Sequence, residues 1–307
     1  MANYTVDSLL LPTLKRRGLL PNTQETLADT DYLALANDEL QSYIVPLILR
    51  AREEYLVTST DITVVAGTQS YPIPSRAVGG KVRNVQISDA TSSTTYRQLA
   101  RVEPEQCPDV GSSGGMWGYY FQGNNIVLSS NPTSGGTLRV TYHLMPNELV
   151  AVAQCAPITS IASLSSKILT ATAVSGWATA ATNYDIVKAK PGFDTYELEN
   201  SATRSSNTFT FTSALDTNIV VGDYICLAGE SPIPQIPQAL HPLLAHRVVL
   251  RALEALGDPK AQVAAKTCEE LTKSAITLLT PRSDGNARVV INRNGPGFGS
   301  WYRRGRY

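Results

Sequence analysis

Histidine and cysteine are scarce in this chain, three and four among 307 residues, and neither type clusters. His241 and His246 stand five apart, which on a helix puts them on different faces rather than on one metal-binding edge. Cys107, Cys155, Cys226 and Cys268 form no CxxC pair and sit near no histidine at ligand spacing, so neither a zinc site nor a disulfide framework is expected. Four small buried hydrophobes is the reading for the cysteines, and a capping or core role for the histidines.

Long apolar runs are missing as well. No stretch approaches the roughly 20 uninterrupted apolar residues that a membrane helix needs. The opening MANYTVDSLLLPTLKRRG lacks the early basic segment, long apolar core and small-residue cleavage site of a signal peptide, so synthesis in a cytoplasm and no membrane association are expected.

Catalytic signatures are absent too. GSSGGMWG has glycines but no P-loop lysine and precedes a strand, not a helix; it reads as a surface loop. There is no GxSxG elbow and no HExxH. Adjacent carboxylates such as Glu53 and Glu54, or Glu269 and Glu270, diverge on a helix and look like solvated faces. No catalytic residue, metal ligand or cofactor is therefore assigned, and the chain is not expected to be an enzyme.

What is present is 43% hydrophobic residues, enough for a real core, and a lopsided charge distribution. The total is 26 basic against 26 acidic residues, yet from Arg282 to the end six arginines face Asp284 alone. The last segment is therefore +5 and everything before it −5.

In TDYLALANDELQSYIVPLILRAREEYLV, apolar residues from Leu33 to Tyr55 recur at three and four, the stripe of an amphipathic helix. Asp29 or Thr30 is expected to cap it, Pro46 to kink or split it, and Asp38, Glu39, Arg50, Arg52, Glu53 and Glu54 to face solvent or a neighbouring subunit. After Thr58 the period changes to two. Strands are expected in DITVVAGTQSYPIP on either side of Gly67, in GKVRNVQISD, TTYRQLARV and GTLRVTYHLMP, and as a hairpin turning at Gly123 to Asn125; together they form an antiparallel sheet or sandwich. Residues 150–230, poor in charge, carry further strand candidates in KILTATAV, YDIVKAK, NTFTFTS and DYICLAG, the last like a strand of a small barrel.

SPIPQIPQALHP reads as a proline-rich linker. A helix then runs to Gly257, and Asp258 with Pro259 starts a second that stops at Pro281, completing an αα-hairpin. The expected fold class is α+β: N- and C-terminal helices forming an α-helical bundle, a large inserted antiparallel β-region, and an extended C-terminal arm. The expected divisions are residues 1–60, an N-terminal arm and bundle helix; 61–148, a first β-module; 149–232, a second, inserted β-module; 233–281, the helical hairpin; and 282–307, the arm.

The arm carries the candidate binding residues. Arg288, Val289, Val290, Ile291 and Arg293 make a strand-like run suited to adding an edge to another chain's sheet; Phe298, Trp301, Tyr302, Arg303, Arg304, Arg306 and Tyr307 follow, residue types enriched at binding hot spots. Nucleic acid is a rival target, since arginines with interleaved aromatics grip phosphates and stack on bases.

NDELQSYIVPLILRAREEYLVTSTDITVVAGTQSYPIPSRAVGGKVRNV, followed by a β-insertion, the helical hairpin HPLLAHRVVLRALEALGDPKAQVAAKTCEEL and a C-terminal arm, resembles the head-to-tail adaptor, or connector, proteins of short-tailed bacteriophages. The resemblance spans residues 24–280 and is closest in 37–85 and 233–271. It implies a structural virion protein of the neck or tail region, assembled in the host cytoplasm as a homo-oligomeric ring, usually of twelve subunits. Such a ring docks under the portal protein through arms like residues 282–307, extends the DNA ejection channel without binding DNA specifically, and receives tail nozzle or tail-fibre proteins. Two other readings stay open: a cell-wall-degrading or carbohydrate-binding virion component, and a nucleic-acid-binding packaging accessory.

Overall fold

The computed structural model describes residues 5–16, 27–88, 95–106, 118–172, 174–190 and 195–280. Among the described residues, five α-helices and sixteen strands surround three large hydrophobic cores. The mixed α+β class expected from the sequence is what folds.

The first core is helical. A π-turn at Val6–Leu10 leads into α1 (Leu11–Arg16), followed by α2 (Asp29–Glu39), a second π-turn at Leu40–Ile44, and α3 (Val45–Ala51). Pro46 splits the long amphipathic helix as expected: it lacks the N–H for an α-type bond, and it sits in the first turn of α3, where that donor is not needed. The N-terminal cap differs from expectation. Ala28 is the N-cap, and Asp31, at the third helical position, accepts from Ala28 N at 2.8 Å.

α4 (His241–Ala255) and α5 (Ala261–Leu279) close this core against α2 and α3, burying Ala36, Leu40, Ile44, Ile48, Leu243, Leu244 and Val248 together. Gly257, with φ of 67°, ends α4 in a left-handed turn whose following amide, Asp258 N, bonds back to Leu253 O at 3.0 Å.

The second core lies between two four-stranded sheets. The strands involved are β1 (Val57–Val64), β2 (Ser70–Pro72), β3 (Ala77–Ser88), β4 (Arg97–Gln98), β5 (Ala100–Arg101), β6 (Gly118–Gln122), β7 (Asn125–Leu128) and β8 (Gly136–Leu144). One sheet has the order β1-β8-β3-β4, the other β2-β7-β6-β5. In β8, Leu138, Val140, Tyr142 and Leu144 face inward while Thr137, Arg139 and Thr141 face out, the period-two alternation that gives a sheet one dry face. Tyr71, Tyr119, Ile126 and Leu128 of the second sheet meet them, so the region is a sandwich. β6 and β7 form the hairpin read from the sequence, turning at Gly123 and Asn124. The region is not wholly antiparallel, because β5 pairs parallel to β6. Gly118 makes that pairing possible: a Cβ there would lie 2.8 Å from Val102 Cγ1 and 3.0 Å from Ala100 O.

β9 (Glu148–Leu149) leads from the sandwich to the third core, a closed barrel in the order β10-β11-β14-β13-β12-β15. Its strands are β10 (Ala156–Ser163), β11 (Ile168–Ala171), β12 (Thr182–Val187), β13 (Thr195–Ser205), β14 (Thr208–Phe211) and β15 (Tyr224–Leu227). Tyr184 and Phe209 pack edge to face inside it, 5.4 Å between centroids, with Trp177 5.3 Å from Tyr184. The chain leaves through β16 (Glu230–Ser231), parallel to β9.

The proline-rich segment that follows is not a free linker. Ile233, Gln235, Ile236 and Leu240 are buried, and Pro232 O accepts from Val6 N at 2.8 Å. Proline supplies rigidity here within packed structure, because Ile236, between Pro234 and Pro237, inserts into the helical core.

Candidate functional site: the joint between the three cores

Every residue expected to bind a partner, from Arg288 to Tyr307, lies outside the described residues. The described residues instead converge on a buried polar joint, and no motif pointed to it. Asp185 in β12 is fully buried. Its carboxylate accepts from Arg76 Nη1 at 2.7 Å, Asn147 Nδ2 at 2.7 Å, Gly229 N at 3.0 Å and Glu199 N at 2.8 Å. Arg76 comes from the turn between β2 and β3 of the sandwich, Asn147 from the crossing between sandwich and barrel, and Gly229 from the barrel exit.

Asn147 extends the network. Its amide N donates to Gln235 Oε1 at 2.8 Å, its Nδ2 also to Glu230 O at 2.8 Å, and its Oδ1 accepts from Arg76 Nη2. Gln235 Nε2 then reaches Thr195 Oγ1 at 2.6 Å. A buried carboxylate costs several kcal/mol to desolvate unless its oxygens are filled, and here four donors fill them. The local backbone accommodates this. Glu199 adopts a φ of 53°, rare for a residue with a side chain, at an irregularity in the β12–β13 register, and that conformation turns its N–H toward Asp185.

One further polar link ties the helical core to this joint, and another braces the helical core itself. Asn37 of α2 brackets the Leu149 peptide, donating from Nδ2 to Leu149 O at 3.0 Å and accepting from Leu149 N at 2.7 Å. Glu39, expected to face solvent or a neighbouring subunit, is instead buried within its own chain and accepts from Arg247 Nε at 2.7 Å and Arg251 Nε at 2.5 Å. The correction has a simple cause: Arg247 and Arg251 are four apart on α4, so both reach the same point on α2. Arg247 also lies 4.0 Å over the Tyr43 ring, whose hydroxyl meets Thr272 Oγ1 of α5 at 3.0 Å.

Chemically this is a device for holding three cores in a fixed relation. Asp185 and Asn147 are buried and each makes several hydrogen bonds, which suits positioning. Among the described residues no group of three or more His, Cys, Asp or Glu side chains is placed to hold a metal ion. A groove of about 330 Å³ opens elsewhere, between the N-terminal turn and α2, lined by Asp7, Leu11, Pro12, Asp29, Thr30, Leu33 and Ala151. His241, at the start of α4, is buried, and burial holds its imidazole below the usual histidine range, with the carbonyls of Ile236 and Pro234 offsetting this in part.

The architecture, helices at both ends around a sandwich and a barrel, can be set against known families. A family described as SU10 adaptor protein matches residues 10–210, 201 of the 307 residues. The chain belongs to the SU10 adaptor protein family. This is a family of structural adaptors of bacteriophages, in agreement with the resemblance read from the sequence. The family match covers α2, α3, the sandwich and most of the barrel, including Arg76, Asn147 and Asp185 of the joint. It stops before α4, α5 and the basic terminal segment. No curated protein matches the chain. Among the described residues no helix is long and apolar enough to cross a membrane.

Proposed function

We propose that this SU10-family adaptor assembles as a homo-oligomeric ring, of twelve copies, that docks beneath the portal protein at the neck of a bacteriophage particle. It extends the channel for DNA and presents a platform for tail nozzle or tail-fibre proteins. The observation that carries the reading is the family match over residues 10–210.

Charge supports it. A channel that lets DNA pass without holding it favours a wall that does not attract phosphates, and the chain before Arg282 is −5. The +5 terminal segment, with Arg288, Val289, Val290, Ile291, Arg293, Phe298, Trp301, Tyr302, Arg303, Arg304, Arg306 and Tyr307, is the proposed portal contact. Many weak contacts of this kind in a ring reinforce one another through effective concentration. In this reading the helical layer forms the ring wall, and the sandwich and barrel face the tail.

The adaptor has a structural role and needs no cofactor. The test is deletion of residues 282–307. The truncated protein is expected to fold and melt like the full chain but to fail to join DNA-filled heads in an assembly assay. Attachment at the wild-type level by the truncated protein would remove the arm from the docking role.

A further inference from the structure

The barrel begins and ends side by side, and the residues at that meeting point are two cysteines. The β10–β15 register pairs Ala156 with Ile225 and Pro157 with Tyr224. One step further along the same antiparallel register, Cys155 stands opposite Cys226. Cys155 is already extended, with φ of −117° and ψ of 149°. Ile158 N donates to Asp223 O at 2.7 Å, which makes 158–223 a hydrogen-bonded position. Alternation then makes 156–225 another, and puts Cys155 and Cys226 at a non-hydrogen-bonded position.

At such a position the two Cα atoms are about 4.5 Å apart and the side chains leave the sheet on one face. A disulfide needs Cα atoms roughly 4.4–6.8 Å apart, so the backbone is already placed for one. Side-chain direction agrees. Ala156 and Ile225 point into the barrel core, so Cys155 and Cys226 point outward, and both sulfurs sit in one small buried cluster with Val187, flanked by Val150 and Tyr224. Both are free thiols in this structure.

We propose that Cys155 and Cys226 are a redox pair that closes into a cross-strand disulfide, stapling the start of the barrel to its end, when the protein meets an oxidising small-molecule disulfide. The pairing goes beyond the adaptor role and stands whether or not that reading holds. In a reducing cytoplasm the pair stays as two thiols; outside it, closure is favoured.

Thiol–disulfide exchange supplies the chemistry. The Cys155 thiol loses its proton and the thiolate attacks one sulfur of the reagent R–S–S–R, forming a protein–S–S–R bond and releasing one RS⁻. The Cys226 thiol then loses its proton, and its sulfur displaces the second RS⁻ from the Cys155 sulfur, leaving the Cys155–Cys226 bond. The protein gives up two electrons, the reagent gains them, and the two thiol protons end on the two released thiolates. Cys155 is the attacking sulfur because it follows the exposed turn Val152–Gln154, whereas Cys226 is fully enclosed. Burial first, and then the adjacent Cys155 sulfur, holds the Cys226 thiol well above the ordinary cysteine range, so Cys226 is the poorer attacking sulfur and enters second.

The closed ring of chain runs from residue 155 to residue 226 and contains all six barrel strands. The test uses the full-length protein, purified reduced and then incubated at neutral pH with oxidised glutathione in mild urea below its unfolding transition. Unreduced peptide mapping is expected to give one linked peptide joining Cys155 and Cys226, with two thiols lost and no glutathione retained. The melting temperature is expected to rise by about 5 °C over the reduced protein, a gain that Cys155→Ala abolishes. Cys226→Ala is expected to retain glutathione on Cys155. Unchanged thiol content, a lasting glutathione adduct on wild-type Cys155, or linkage only through Cys107 or Cys268 would overturn the proposal.

Discussion

Glu39 in α2 and Arg247 in α4 are separated by 208 positions in sequence, and they meet at 2.7 Å in the interior of the helical layer. The Glu39 side chain is 2% exposed and the Arg247 side chain 17%, whereas the second arginine on the same carboxylate, Arg251, is 49% exposed. This asymmetry sets the order of effects. Glu39→Ala, which strands a buried guanidinium, is expected to cost about 3–5 kcal/mol, while Arg251→Ala is expected to cost about 1 kcal/mol or less. Urea denaturation of the two variants checks both, and equal losses would show that Arg247 is not the main partner.

Asp185 gathers four donors from the sandwich, the barrel and the connecting segments. Replacing it by alanine removes the carboxylate that pairs with Arg76, leaves that guanidinium only Asn147 Oδ1 and leaves Asn147 Nδ2 only Glu230 O, and takes the acceptor from the Gly229 and Glu199 N–H groups, an expected loss of about 3–5 kcal/mol. The effect should be felt between the cores as well as within them. Limited proteolysis is expected to cut Asp185→Ala first in the segment 145–155, at a rate well above wild type. Wild-type resistance there would mean that packing alone holds the barrel in place.

His241 gives a pH dependence with a defined sign. Its folded-state pKa is depressed by burial, so between the ordinary histidine value near 6.5 and that lower value the unfolded chain binds more protons than the folded one. Stability is therefore full above pH ~6.5 and falls as the pH drops through this window, by at most about 1.4 kcal/mol per pH unit for one proton. His241→Leu is expected to flatten the slope of melting temperature against pH just below about pH 6.5. An unchanged slope would assign the acid sensitivity to other groups.

Gly118 permits the close parallel approach of β5 and β6. Gly118→Ala is expected to destabilise by about 1–3 kcal/mol, since the new methyl group meets both a valine side chain and a backbone carbonyl that cannot retreat independently. Circular-dichroism melts check the size. Gly123→Ala makes a useful companion, because a Cβ there meets nothing within 4 Å and its cost comes from the positive φ alone.

The periodic elements were legible because burial on one face writes itself into the sequence. Leu33 to Tyr55, the alternation of β8, and the Gly257–Asp258–Pro259 break between α4 and α5 all report directly on which side of an element is dry. Two barrel strands, β10 and β13, escaped notice. APITSIAS is nearly all small residues, and TYELENSATRS carries charges and an irregularity at Glu199, so neither shows a clean period of two. Glu39 reads as facing solvent or a neighbouring subunit for a related reason: a glutamate on an amphipathic helix looks exposed until the partner that neutralises it is known.

From sequence alone came the α+β class, the order of helical and β-regions, the paucity of metal-binding residues, and the concentration of arginine beyond Arg282. These follow from composition and local periodicity, which need no knowledge of distant neighbours. Tertiary structure alone decided that Arg76, Asn147, Asp185 and Gln235 share one buried network, that Glu39 is an interior group, and that Cys155 and Cys226 share one buried cluster. Each of those depends on which strand lies beside which. A single polar side chain carries no periodic signal of its partner, so pairing across 38 to 212 positions becomes readable only once the chain has closed on itself.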